Sequence, residues 1–142
     1  MSRPPLINDI TTDFERPPVY WVKPPKRPTY NAAKYRQPAE QGYPDLKNLS
    51  LALPPDVVFA RVVALVQSRG WGIAARDEEG FRIQAIAITP LLRFRDDVLV
   101  EVRPGERAGT STVAMRSKSR LGRGDFGANA KRIRAFLADL QR

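Results

Sequence analysis

A chain of 142 residues, 42% hydrophobic and 27% charged, has room for one globular core with some additional chain around it. It contains no cysteine and no histidine, which excludes disulfides, structural zinc, His- or Cys-ligated haem, iron–sulfur clusters and both Ser-His-Asp and Cys-His catalysis. Its net charge of +9, from 24 Lys and Arg against 15 Asp and Glu, points to an acidic protein, an anionic lipid surface or nucleic acid as partner.

Residues 1–50 hold nine of the thirteen prolines, in pairs at Pro4-Pro5, Pro17-Pro18 and Pro24-Pro25. Proline fixes φ, removes a donor and pushes its predecessor into extended geometry, so neither a helix nor a central strand is expected there. Tyr20, Trp21, Tyr30, Tyr35 and Tyr43 are interleaved with the prolines, and aromatic rings let an extended arm lie against a surface. The expected organisation is an extended Pro/aromatic-rich arm over 1–50 that orders on contact, followed by a compact domain over 51–142. The first residues, Met-Ser-Arg-Pro-Pro, lack the apolar stretch of a secretory signal. No apolar run approaches the roughly 20 residues needed to span a bilayer.

Pro54-Pro55-Asp56 places prolines and an acid where a helix start favours both. Val58, Val62, Leu65 and Val66 follow at helical spacing until Gly70, a C-terminal stop. Trp71 to Asp77 reads as a strand, Glu78-Glu79-Gly80 as a turn, and Phe81 to Thr89 as a second strand with Phe81, Ile83, Ala85 and Ala87 on one face. In the next two strands Phe94, Val98, Val100 and Val102 share a face, as do Ser111, Val113, Met115 and Ser117. A turn over Pro104 to Gly109 would oppose Val100 to Val113 and Val98 to Met115. That register sets Asp97 against Arg116 on a solvated outer face and Asp96 beside Ser117 on the core face. A last helix, Phe126 to Leu140, carries the stripe Phe126, Ala130, Ile133, Leu137 and Leu140, with Asp125 as N-cap. The fold class expected is α+β, a two-layer sandwich of a four-stranded antiparallel meander flanked by two helices.

Seven basic residues lie between Arg116 and Arg134 against one acid, Asp125, and three glycines open the backbone before the last helix. Arg116, Ser117, Ser119, Arg120 and Arg123 therefore form a candidate anion- or partner-binding turn, guanidinium groups suiting bidentate contact with phosphate or carboxylate. The competing reading is structural, with Asp96, Asp97, Gly122, Asp125, Gly127 and Asn129 locking the strand-to-helix connection. Asp96 and Asp97, adjacent on a strand, point to opposite faces and cannot both grip one metal ion in regular geometry. Gly122-x-Gly124-x-x-Gly127 matches a dinucleotide fingerprint as a string but lacks its strand–turn–helix–strand context. Trp71, Phe81 and Phe94 read as core, with no basic residues set between exposed aromatics, which disfavours nucleic acid.

Arg93-Phe94-Arg95-Asp96-Asp97-Val98, followed by Arg116-Ser117-x-Ser119-Arg120-x-Gly122-x-x-Asp125-x-Gly127-x-Asn129-x-x-Arg132-Ile133, resembles the bacterial DUF1499 family, a domain of unknown function. Ile7-Asn8-Asp9-Ile10-Thr11-Thr12-Asp13, Pro17-Pro18 and Gln41-x-Tyr43-Pro44-Asp45 extend the resemblance over nearly the whole chain. The resemblance implies no established activity, substrate or cofactor. It does imply a setting at the membrane or cell envelope, since many such domains follow membrane-spanning helices or a lipoprotein-type N-terminus. Gln84 stands where many members carry an acid, and Lys118 where a small residue is commoner. The expected function is a non-catalytic binding or accessory domain without cofactor, at a membrane or within a larger assembly. It would use the N-terminal arm and the basic strand-to-helix turn to hold an acidic partner, either an acidic protein or an anionic lipid surface. Binding of a small anion or phospholipid headgroup, and catalysis on an anionic substrate with Asp96 as base, are the rival readings.

Overall fold

The computed structural model describes residues 3–22 and 28–142; the Pro24-Pro25 pair lies outside them. In chain order the elements are β1 (Asp9–Thr11), α1 (Ala32–Gly42), β2 (Leu49–Leu51), α2 (Pro55–Ser68), β3 (Gly72–Asp77), β4 (Arg82–Ile88), β5 (Arg95–Pro104), β6 (Ser111–Ser119) and α3 (Ala128–Gln141). The class is α+β, but with three helices and a six-stranded antiparallel sheet among the described residues. The expected four-stranded meander is corrected: β3 to β6 are consecutive neighbours, but the sheet also takes in β1 and β2, both paired with β6. β1 takes the C-terminal half of that edge (Asp9 opposite Lys118) and β2 the N-terminal half (Leu49 opposite Val113).

The expectation that proline density forbids a helix in the first fifty residues is corrected by α1. Asn31 caps it by accepting a hydrogen bond from the Lys34 N–H. Pro38, inside the helix, forfeits one backbone bond. Tertiary packing compensates: Ala39 is buried in the core and Tyr35 packs against it, and Arg36 pairs with Glu40 one turn on.

α2 buries Val58, Phe59, Val62, Val63 and Val66, and α3 buries Ala130, Ile133, Phe136, Leu137 and Leu140. Both stripes share one core with Ile83, Ala85, Ala87, Val98, Val100, Val102, Val113 and Met115. The opposite face of the sheet is buried as well. Gln84, Asp97, Leu99, Ala114 and Arg116 have essentially no accessible surface. Gln84 accepts from the Trp21 and Val22 N–H groups and donates to the Val22 carbonyl. Arg116 donates to the carbonyls of Pro18 and Pro28. The proline-aromatic segment is thus a cover for the second face of the sheet.

The β5–β6 register differs from expectation by two residues: Val100 opposes Met115, Val98 opposes Ser117 and Val102 opposes Val113. The hairpin closes through Gly105 to Thr110 rather than Pro104 to Gly109, with a Gly105 N–H to Thr110 carbonyl bond and Gly109 at φ +77°. A slip of two keeps every side chain on its face, so apolar alternation is blind to it. The consequences for the acids are corrections too: Asp96 opposes Ser119, Asp97 opposes Lys118, and Asp97 is buried rather than solvated. Phe94 is a further correction, lying before β5 and nearly half exposed.

Candidate functional site

Arg116 lies on the second face of the sheet, where its guanidinium meets both oxygens of Asp9 (Nε–Oδ1 2.9 Å, Nη2–Oδ2 2.7 Å). It lies over the rings of Tyr20 (4.7 Å) and Tyr30 (5.7 Å). With 0% of its surface accessible, it does not reach a partner from outside. Burial alone would lower its pKa, and the Asp9 carboxylate reverses that, holding it above the usual arginine range. Arg116 clasps β1 and the cover segment onto the sheet. The expected Asp97–Arg116 pair is replaced: Asp97 receives a two-pronged contact from Arg120 (3.0 and 2.9 Å), while the Tyr20 hydroxyl donates to the Asp97 carbonyl.

On the core face, Ser117, Ser119, Asp96 and Asn129 form a buried polar knot. The Asn129 carbonyl oxygen accepts from the Ser117 hydroxyl (2.5 Å) and from Arg132 (2.9 Å), while its amide donates to Ser119 (2.8 Å) and Asp125 (2.7 Å). Asn129 therefore satisfies its whole hydrogen-bonding capacity. Asp96 Oδ2 pairs with Arg132 at 2.8 Å, but its Oδ1 is buried without a partner among the described residues. Burial pushes the Asp96 carboxyl above its usual 3.8, with Arg132 and Ser119 acting against the shift.

The turn into α3 is fixed by Asp125, though not as the N-cap itself. Gly127 occupies that position at φ +81°, and the helix begins at Ala128, two residues later than expected. Asp125 accepts from the N–H groups of Gly127 (2.8 Å) and Asn129 (3.1 Å). It thereby satisfies the donors that an incoming anion would have used. Gly122 gives its carbonyl to the Asn8 amide at 2.5 Å.

Of the sequence-derived basic residues, Arg123 alone is both exposed and without an ion pair among the described residues. It stands at the end of the sheet where β4 leaves, β5 begins, β6 ends and β1 begins. Arg3, Arg93 and Arg95 are exposed at that same end, also free of ion pairs among the described residues. So are Leu6, Leu91, Leu92, Phe94, Leu121 and Phe126. The motif reading missed this surface because it follows from three loops meeting, not from one stretch. An open cleft of about 580 Å³ lies at the opposite end, between β2 and the β5–β6 turn; its lining brings together one acid and one cation, Glu106 and Arg107.

The family profile for a protein of unknown function, DUF1499, matches residues 9–140. The chain belongs to the DUF1499 family. No curated protein sequence matches the chain significantly. The residues on which the resemblance rests, Asp96, Asp97, Arg116, Ser117, Ser119, Arg120, Asp125, Asn129 and Arg132, are tied to one another or to Asp9. In this DUF1499 chain the residues that carry the resemblance therefore join the last strand to the last helix and to the first strand.

Proposed function

We propose that this chain is a non-catalytic binding or accessory domain that holds an acidic partner at the basic end of its sheet. The observation that carries the reading is an asymmetry of commitment. The acids at that end, Asp9, Asp96, Asp97 and Asp125, are engaged internally, whereas Arg3, Arg93, Arg95 and Arg123 face outward without ion pairs among the described residues. Unneutralised positive charge of this kind steers and holds anionic surfaces. The binding residues are then Arg93, Arg95 and Arg123, with Arg116 and Arg120 holding the platform.

A photo-crosslinking residue at Arg123 and, separately, one at Arg107 on the far end provide the test in cells. The reading expects crosslinks at position 123 that disappear when Arg93 and Arg95 are changed to Glu, with none of them at position 107. The same adducts at both ends refute it.

One observation favours a second reading, catalysis on an anionic substrate with Asp96 as base: its carboxyl is raised by burial and keeps one free oxygen. An Asp96→Asn variant that keeps partner crosslinking while losing a turnover found by substrate screening would favour this reading; unchanged turnover would remove it.

A further inference from the structure

We infer that the occupant of the basic end is an anionic lipid bilayer, into whose interface Leu91, Leu92, Leu121 and Phe126 dip from two neighbouring loops. This rests on the binding reading above and names its partner.

The pairings that end the sheet bring the loops together. Ile88 opposes Arg95 and Asp96 opposes Ser119, so the β4–β5 loop (89–94) and the β6–α3 turn (120–127) leave the sheet side by side. A backbone bond from the Arg120 N–H to the Arg95 carbonyl ties their bases. The chain before β1 arrives at the same place, Asn8 bonding Gly122 and Leu6 lying against Gly124.

The tips are apolar where water is the alternative. Leu91 is 97% exposed, Phe126 95%, Leu121 72% and Leu92 71%. A soluble domain scatters single apolar residues, but a cluster of four on adjoining loops marks an interaction surface. Backbone geometry adds an independent signal. Among the described residues four non-glycine residues have φ in the left-handed region, and three of them, Leu91, Arg93 and Phe126, lie in these loops. Such conformations are unfavourable for L-residues and concentrate at functional sites. Leu91 and Phe126 recover nothing for it within the fold, since almost all of their surface is exposed.

Charge decides between kinds of occupant. The apolar tips alternate with Arg93, Arg95 and Arg123, and Arg3 stands on the adjoining segment. Leu and Phe set among Arg, all on projecting tips, is the composition of an interfacial anchor, in which apolar groups enter the acyl boundary and cations remain with the headgroups. A protein interface of comparable strength would centre on Tyr or Trp in a packed depression. Among the described residues no helix is long and apolar enough to cross a membrane, which fits lying on the surface.

Co-sedimentation of the full chain with vesicles tests the inference, using phosphatidylcholine alone and an equimolar mixture with phosphatidylglycerol. Binding is expected to the mixed vesicles and not to phosphatidylcholine. Arg93→Glu with Arg123→Glu should weaken it at least ~20-fold, each cation near an anionic leaflet being worth about fivefold. Leu91→Ser with Phe126→Ser should weaken it at least ~10-fold at unchanged circular dichroism. Vesicle binding insensitive to the serine changes overturns the inserted tips. Binding to polyglutamate but to neither vesicle overturns the bilayer and leaves the acidic-partner reading standing. Binding to none of these probes, with crosslinking at position 123 also absent, overturns both.

Discussion

Replacing Asp9 by Asn should remove a large share of the stability of this domain. The substitution keeps the shape of the side chain but withdraws the charge facing Arg116, which has no contact with water. The guanidinium would keep the carbonyls of Pro18 and Pro28 and the two tyrosine faces, none of which neutralises it. Breaking a buried pair from one side costs about 3–5 kcal/mol, against about 5–15 kcal/mol for a whole domain. At about 3 °C per kcal/mol for a chain of this size, Tm should fall by roughly 10–15 °C. Thermal denaturation measures the Tm shift, and urea titration followed by circular dichroism and by tryptophan fluorescence measures the free energy. Arg134→Ala is the control: its pair with Asp45 is half exposed on both sides, and loss of such a pair costs under about 1 kcal/mol. Removing both buried charges together, Asp9→Leu with Arg116→Met, should cost at least ~2 kcal/mol less than the sum of the two single changes. An Asp9→Asn loss no larger than that of Arg134→Ala would refute the clasp.

Asn129→Ala strips partners from Ser117, Ser119, Asp125 and Arg132 at once and should cost about 2–4 kcal/mol in the same titration. Phe126→Asn should leave the domain equally stable or up to ~1 kcal/mol more stable, because Asn tolerates φ near +53° and no packing is lost; a clear loss by calorimetry would contradict this. Stability against pH should separate two aspartates. Asp96, raised above 3.8 when folded, contributes stability below 3.8 that is lost as pH rises through its folded pKa, so the wild type should lose ground to Asp96→Asn across that window. Asp13 shows the opposite sign: burial pushes its carboxyl up, but the Arg16 N–H, Asn48 and Arg103 outweigh burial and hold it below 3.8. Its contribution is present above 3.8 and lost as pH falls through the folded value, so Asp13→Asn should equalise with wild type only in acid; equal slopes for the two variants would contradict the assignment.

Periodicity made α2, the meander and α3 legible, because their apolar residues repeat with the period of the element that buries them. Register was not legible, since a two-residue slip leaves the alternation unchanged. β1 and β2 are three residues each, too short to show a period. α1 was hidden by Pro38. The burial of the second face did have a signal: Val98-Leu99-Val100 and Val113-Ala114-Met115 are continuous apolar runs rather than alternations, as in strands covered on both sides. Read that way, Arg116, sharing the face of Leu99, would have needed an internal acid, and the run of basic residues would not have looked like a surface. Arg132 as the partner of Asp96 was not legible, because the pairing depends on where α3 starts.

The clasp also sets an order of events on the ribosome. Arg116 is 107 positions after Asp9, and among the described residues both β1 and β2 have β6 as their sheet partner. At the usual elongation rate β6 emerges about 5–20 s after β1, and until then the first segment has neither a sheet edge nor a counter-ion. Its prolines and charged residues keep it from pairing with other strand edges meanwhile. The segment that carries β1 and β2 is therefore made well before the edge it needs, and truncation before β6 should leave it a substrate for proteases.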